Sequence, residues 1–199
     1  MSGKTFASGR FVMRFYPARE EVESLAVAHG WTQESTVQKQ PPFSGTEITW
    51  SSSGGGSLLY TEDEMTGNCH VVVEATNREE VQRIGELVVD ELHPWEMPEL
   101  VFAVDTAPDE IELGLSVIRL GIAAPPRKDE EVFRRVRSAL THDDVRVRDM
   151  AIVATTYSPW PDYVPILRGI EQGDPEPKLR QRSRFVLESY ADAGIGEDE

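Results

Sequence analysis

The sequence contains a single cysteine, Cys69, which excludes an intramolecular disulfide and any zinc site built from several cysteines. It has no run of about 18 apolar residues, so no membrane-spanning helix is predicted. The first 15 residues lack the apolar stretch that a secretory signal requires. We therefore expect a cytoplasmic protein that does not enter a membrane.

Patterns typical of catalysis and of metal binding are also missing. Residues 54–56 are all glycine but are not followed by the Lys-Ser/Thr pair of a phosphate-binding loop. Cys69 precedes His70 directly, and neighbouring side chains of a strand point to opposite faces, so the two cannot form a nucleophile and its base. No metal-ligand spacing links the four histidines, which are His29, His70, His93 and His142. The sequence predicts a protein that is not an enzyme and that has no cofactor and no metal ion.

Basic residues are scarce, since 20 Lys and Arg stand against 35 Asp and Glu, for a net charge of −15. The imbalance is uneven along the chain. Residues 127–184 hold twelve basic and ten acidic residues, whereas the rest of the chain holds eight and twenty-five. A strongly acidic chain repels nucleic acid and favours a basic partner.

Residues 1–94 show the alternation of strand and helix patterns that is typical of an α+β domain. A helix is predicted over residues 19–29, and a second helix begins after Asn77, which is a good N-cap residue. Strands are predicted over residues 11–16, 31–38, 47–52, 58–61 and 70–75. We expect a mostly antiparallel sheet with the two helices on one face.

Residues 97–193 contain three similar segments, each with an apolar helix, a turn that contains aspartate, and a second helix. Aligned aliphatic residues, at intervals of 36 and 32 positions, are Ile111, Val147 and Leu179. The turn aspartates expected to cap the second helices are Asp109, Asp144 and Asp174. Such a period predicts stacked helical repeats.

The second segment carries Asp144, Val147, Arg148, Ala151 and Ala154, and so resembles the short bacterial type of HEAT repeat with the pattern Asp-x-x-Val-Arg-x-x-Ala. The third segment keeps Leu179, Arg180 and Ser183, whereas the first has Glu112 in place of the arginine. An ordinary helical bundle is the alternative.

The resemblance implies an all-α solenoid of about three HEAT-like repeats over residues 97–193, followed by an acidic tail over residues 194–199. It also implies that Arg148 and Arg180 are structural and brace a neighbouring turn through an aspartate. Solenoids present extended surfaces to partners rather than compact active sites.

We therefore predict a non-catalytic protein-interaction protein, of the immunity or adaptor type, that binds a protein partner through its acidic side. The acidic candidates are Glu20, Glu21, Glu79 and Glu80. The alternative is a HEAT-like protein that binds nucleic acid through the basic helices of residues 127–184. Its candidates, which the repeat pattern does not require, are Arg134, Arg137, Arg146 and Arg182. Their segment is far less basic than a nucleic-acid-binding stripe, so this alternative is less favoured.

Trp160 lies in a segment bounded by prolines between two predicted helices. A tryptophan in such a place either fills the seam between repeats or anchors a partner. We favour the first interpretation and keep Trp160 as a candidate partner-binding residue.

Overall fold

The computed structural model describes residues 5–40 and 44–196. The chain divides into two compact units, Met1–Glu96 and Met97–Glu199. The first contains an antiparallel sheet of six strands and the second is helical, which confirms the predicted order of an α+β part and an all-α part. No helix of the described ranges is long and apolar enough to cross a membrane.

The sheet of the first unit has the strand order β1-β6-β5-β4-β3, and β2 also pairs with β6. Every pairing is antiparallel. The strands are β1 (Phe6–Ala7), β2 (Phe11–Val12), β3 (Thr32–Lys39), β4 (Gly45–Ser51), β5 (Gly56–Asp63) and β6 (Asn68–Ala75). Residues 52–55 form the turn between β4 and β5, where the Ser/Gly-rich run is too flexible and polar to pack.

Helices α1 (Arg19–Ala28) and α2 (Arg78–Leu92) pack on one face of this sheet. Because side chains alternate along a strand, the register places Trp50, Leu58 and Val73 in one row on that face, and all three are buried. Val22 and Ile84 reach the same core from the apolar stripes of α1 and α2. The core therefore lies between the sheet and its two helices.

The first predicted strand is shorter than expected. The pattern predicted residues 11–16, but β2 ends at Val12, and one further backbone hydrogen bond joins Met13 to Cys69. β6 begins at Asn68, so no strand residues are left for Phe15 and Tyr16 to pair with. These two residues therefore leave the sheet and are exposed.

In the described residues, the second unit consists mainly of α-helices of 9 to 16 residues that are joined by short turns. They are α3 (Met97–Asp105), α4 (Glu110–Ala123), α5 (Glu130–Leu140), α6 (Val145–Tyr157), α7 (Val164–Gly173) and α8 (Pro177–Asp192), with a short 3₁₀ helix at Pro161–Tyr163. Consecutive helices pair as α3 with α4, α5 with α6, and α7 with α8, while α6 contacts both α4 and α8. A Cβ added to Gly121 of α4 would lie 2.9 Å from the Cβ of Ala154 in α6, so small residues allow this close approach.

Two of the three predicted N-caps are confirmed. The carboxylate of Asp109 accepts hydrogen bonds from the backbone at the start of α4, and that of Asp144 accepts one at the start of α6. The prediction for Asp174 was wrong, because this residue is the C-cap of α7 and Glu176 precedes α8. The third turn is two residues longer, which moves the start of the helix away from the aspartate.

The aligned aliphatic residues do not all lie in the core. Val147 and Leu179 are completely buried, whereas Ile111 is 48% exposed. Ile111 is the second residue of α4, but Val147 and Leu179 are each the third residue of their helix. One position turns a side chain by about 100° around the helix axis, so Ile111 faces away from the core.

Candidate protein-interaction surfaces

Arg134 and Arg137 lie on the exposed side of α5. Arg134 donates to the carboxylate of Glu131 at 3.2 Å, one helical turn before it. The guanidinium of Arg137 has no ion-pair partner within residues 5–40 and 44–196. Only one of these two charges is therefore available to an external anion.

The other two arginine candidates are already paired with carboxylates. Arg146, in the first turn of α6, lies 2.7 Å from Asp144. Arg182, on α8, lies 2.8 Å from Asp149, and the amino group of Lys178 lies 3.3 Å from the same residue. Within the described ranges, these two side chains are therefore committed to contacts inside the chain and are less available to an external anion.

Arg148 makes the contact to an aspartate of the next turn that the resemblance implies. Its Nε and Nη2 atoms donate to the two oxygens of Asp174 at 2.8 and 3.0 Å. Burial alone would raise the pKa of Asp174, but the hydrogen bonds from Arg148 and from the backbone of Glu176 outweigh it and lower the pKa. The pair joins α6 to the turn that precedes α8.

Arg135 is a second brace, which the repeat alignment did not identify. Its side chain is 7% exposed, and its Nε donates to Asp105 of α3 at 2.8 Å. Its Nη1 donates to both the backbone carbonyl and the carboxylate of Glu131. Position in the sequence gives no sign of this pairing, because Asp105 lies 30 residues earlier.

Trp160 is 3% exposed and therefore fills an interior site, as the favoured interpretation holds. Its indole Nε1 donates to the carbonyl of Pro125 at 3.2 Å. The ring stacks on Tyr163 with a centroid distance of 5.6 Å and an angle of 13° between the planes. Because almost none of the side chain reaches the surface, Trp160 is not placed to anchor a partner.

The acidic pairs Glu20–Glu21 and Glu79–Glu80 lie in the first turns of α1 and α2. The first turn of α1 lies near the end of β5, and the first turn of α2 lies near its beginning. Arg19 donates to Glu62 near the end of that strand, whereas Glu80 lies 3.6 Å from the Cβ position of Gly56 at its beginning. Six residues of strand separate these ends by about 20 Å. The structure therefore does not combine the two pairs into one site.

The two pairs also differ in how free their carboxylates are. Glu80 forms an ion pair with Arg83 at 2.7 Å, and the hydrogen bond from Arg83 lowers the pKa of Glu80. Glu79, Glu20 and Glu21 are exposed and have no ion-pair partner in the described part of the chain, so one carboxylate of the α2 pair but both of the α1 pair are free. The first turn of α1 is thus the better candidate for an acidic binding surface.

Three large apolar side chains are exposed on the segments that flank the Arg19–Glu62 contact, namely residues 15–16 just before α1 and the turn that follows β5. Phe15 is 74% exposed, Met65 is 60% exposed and Tyr16 is 41% exposed. We define the aromatic–acidic patch as these three residues together with the exposed carboxylates of the same end of the sheet. Its members are Phe15, Tyr16, Met65, Glu20, Glu21 and Glu64.

Contacts to the sheet fix the segments that carry this patch. The carbonyl of Phe15 accepts a hydrogen bond from the thiol of Cys69 at 3.2 Å. The backbone of Met65 donates to Asp63 at 2.8 Å in the β5–β6 turn. Partial burial raises the pKa of Tyr16, and the carboxylates of Glu62 and Glu64 raise it further. These contacts place the residue 15–16 segment beside the β5–β6 turn.

Arg19, Tyr60 and Glu62 form a polar cluster at the start of α1, in which Tyr60 and Glu62 are buried. Glu62 accepts two hydrogen bonds from Arg19, at 3.2 and 2.9 Å, and one from the hydroxyl of Tyr60 at 3.1 Å. The hydroxyl of Tyr60 accepts in turn from the backbone of Ala18 at 2.9 Å. The cluster fixes the start of α1, and so the position of Glu20 and Glu21, relative to β5.

The structure places Cys69 and His70 on opposite faces of β6, in the cross-strand rows of Glu62 and Thr61. Burial raises the pKa of the Cys69 thiol. Burial, followed by the charges of Arg10 and Lys39, lowers the pKa of His70 to about 3. Within the described ranges, no three His, Cys, Asp or Glu residues are grouped so that they could hold a metal ion.

No protein-family model, no curated protein and no solved structure matches this chain. Its function is therefore inferred from the arrangement of its own residues. Two features carry that inference, namely the internal pairing of the arginines and the exposure of the aromatic–acidic patch.

Proposed function

We propose that the chain is a non-catalytic protein-interaction protein whose aromatic–acidic patch binds a basic segment of a protein partner. The observation that carries this proposal is the exposure of Phe15 and Met65, at 74% and 60%, beside the carboxylates of Glu20, Glu21 and Glu64. Aromatic residues and methionine are enriched at the centres of protein interfaces, and charged residues surround them. Methionine also adapts its shape to different partners.

The negative charge of the patch and of the whole chain favours a positively charged partner. With a net charge of −15, the chain attracts Lys- and Arg-rich surfaces and repels polyanions. Three of the four candidate arginines of the helical unit, Arg134, Arg146 and Arg182, are each already paired with a carboxylate of the chain. We propose a cytoplasmic location for this activity, with which a free thiol is compatible.

We infer that the helical unit is a short HEAT-like solenoid and that it acts as a second, extended surface of an adaptor or immunity-type protein. Three observations support this inference: the consecutive helix pairing, the contacts of α6 with both α4 and α8, and the Arg148–Asp174 brace between successive repeats. Each repeat of a solenoid contacts only its neighbours, which leaves one long side open to partners.

The patch is tested by affinity capture from the native host with quantitative mass spectrometry, followed by binding kinetics with the captured partner after purification. Phe15→Ala/Met65→Ser removes the apolar centre, and Glu20→Lys/Glu21→Lys reverses the acidic rim. We expect both variants to lose the partner, and the association rate of the unmodified protein to fall as salt increases.

Matched controls separate the patch from general surface effects. Phe185→Ala removes an exposed phenylalanine of α8, and Glu110→Lys/Glu112→Lys reverses two exposed carboxylates in the first turn of α4. Both controls should retain the partner. Equal binding by all variants would contradict the proposal. Micromolar binding of duplex DNA at physiological salt that is lost in Arg137→Glu would favour the nucleic-acid alternative instead.

A further inference from the structure

We propose that Arg180, in the first turn of α8, is a binding position for a carboxylate of a protein partner. This goes beyond the proposed function, which assigns the aromatic–acidic patch of the first unit. The inference comes from a comparison of Arg180 with Arg148, because the two guanidinium groups make the same contacts with their own turns and differ in one respect.

Arg148 divides its donors between two tasks. Its Nη1 atom donates to the backbone carbonyls of His142 and Asp143, six and five residues earlier, at 2.8 and 2.9 Å. Its Nε and Nη2 atoms donate to the carboxylate of Asp174. One nitrogen thus holds the preceding turn, and the other two form the planar fork that fits a carboxylate.

Arg180 repeats the first of these tasks. Its Nη1 atom donates to the carbonyls of Asp174 and Pro175, again six and five residues earlier, at 2.6 and 3.3 Å. Its Nε and Nη2 atoms have no carboxylate partner within residues 5–40 and 44–196. The side chain is therefore held in place, while the fork that Arg148 uses for Asp174 is available.

The other basic side chains near the start of α8 are already neutralised. Lys178 and Arg182 both contact Asp149, and Arg184 contacts Glu171 at 3.0 Å. In the described part of α8, Arg180 is the one cation that has no carboxylate. An incoming acidic side chain would complete the pattern that the preceding repeat completes internally.

Geometry and charge both favour a carboxylate over a nucleic-acid phosphate. The contact at Arg148 shows that a guanidinium held this way donates two hydrogen bonds to one carboxylate. The net charge of −15 opposes the approach of a polyanion but has far less effect on a single acidic side chain. Since the fork of Arg180 is already oriented, binding does not have to order the arginine side chain.

The test uses the full chain and a peptide that imitates the internal ligand. The probe is the capped pentapeptide Gln-Gly-Asp-Pro-Glu, which repeats residues 172–176. Arginine Nε–H resonances are followed by NMR during the titration, and that of Arg180 is assigned from its loss in Arg180→Lys. We expect a saturable shift of the Arg180 signal and no saturable shift of Arg137, which is an exposed and unpaired control.

Further arms distinguish the possible occupants. The peptide with Asn in place of Asp should lose most of the shift, and inorganic phosphate at equal charge should shift Arg180 less than the Asp peptide does. Equal responses of Arg137 and Arg180, equal responses to the Asp and Asn peptides, or a stronger response to phosphate would each overturn the proposal. So would a response that appears only after removal of residues 197–199, because the chain's own tail would then be the occupant. The titrations that compare Arg180 with Arg137 are made in the unmodified protein, and Arg180→Lys serves only to assign the Arg180 signal.

Discussion

The guanidinium of Arg148 and the carboxylate of Asp174 form a bidentate ion pair between α6 and the turn that precedes α8. Their side chains are only 12% and 5% exposed. Removal of one member therefore leaves the other as a nearly buried charge with no opposite charge beside it. This relationship makes the contact between α6 and the turn before α8 sensitive to the loss of either residue.

Arg148→Ala should lower the free energy of unfolding by about 3 kcal/mol, the range in which loss of one member of a buried pair falls. Urea denaturation would measure the change. Arg137→Ala, which removes an exposed arginine with no ion-pair partner in the described residues, should have almost no effect. If the double variant Arg148→Ala/Asp174→Ala lost the full sum of the two single losses, the residues would not be coupled and this account would be wrong.

Leu179→Ala should lower the free energy of unfolding by about 2–5 kcal/mol, because it opens a cavity at a side chain that is completely buried. Ile111→Ala is the matched control, since Ile111 occupies the aligned position but is 48% exposed. Its effect should be well under half as large. Equal losses in chemical denaturation would show that the two positions have the same environment, contrary to the structure.

Asp109→Ala should cost about 1 kcal/mol of stability, which is typical for the loss of an N-cap. The carboxylate accepts hydrogen bonds from the backbone of Ile111 and of Glu112, both at 3.0 Å. Asp109→Asn keeps an acceptor oxygen and should restore most of the loss. Glu110→Ala, one residue further, removes an exposed side chain and serves as the control. If thermal melts showed Asn and Ala to be equally destabilising, the hydrogen bonds would not be the source of the effect.

The sequence predicts helix starts well where the residues that determine them are adjacent in the chain. Asn77 was predicted as an N-cap and accepts the backbone hydrogen bond of Glu80 at 2.8 Å, so a preference of a few adjacent residues is enough to place α2. The Asp174 turn was misplaced because its two additional residues allow more than one position for the start of α8. The spacing of the aligned residues does not show whether α8 begins directly after Asp174 or two residues later, after Glu176.

The aromatic–acidic patch could not be predicted, because its causes lie far apart in the sequence. Phe15 and Tyr16 have the composition of a strand and are exposed because β6, more than fifty residues later, begins at Asn68. The buried carboxylate of Glu62 accepts from Arg19, which lies 43 residues earlier in the sequence. Of the candidate acidic residues, Glu20 and Glu21 are the two that the fold places in this patch.

His70 should make the stability of the protein depend on pH in a defined window. Burial lowers its pKa from about 6.5 to about 3, so between these values the unfolded chain binds a proton that the folded chain does not. Stability therefore falls as the pH falls below about 6.5, with a slope of at most about 1.4 kcal/mol per pH unit from this one group.

Urea midpoints measured from pH 7.5 to pH 5, above the range where most carboxylates titrate, should show this slope. His70→Leu should remove it, because no imidazole is then left to protonate on unfolding. His93→Asn is the control, since His93 is exposed and has a positive φ of 46° that asparagine tolerates. A slope that persists unchanged in His70→Leu would show that the imidazole of His70 is protonated to the same extent in the folded and unfolded chain.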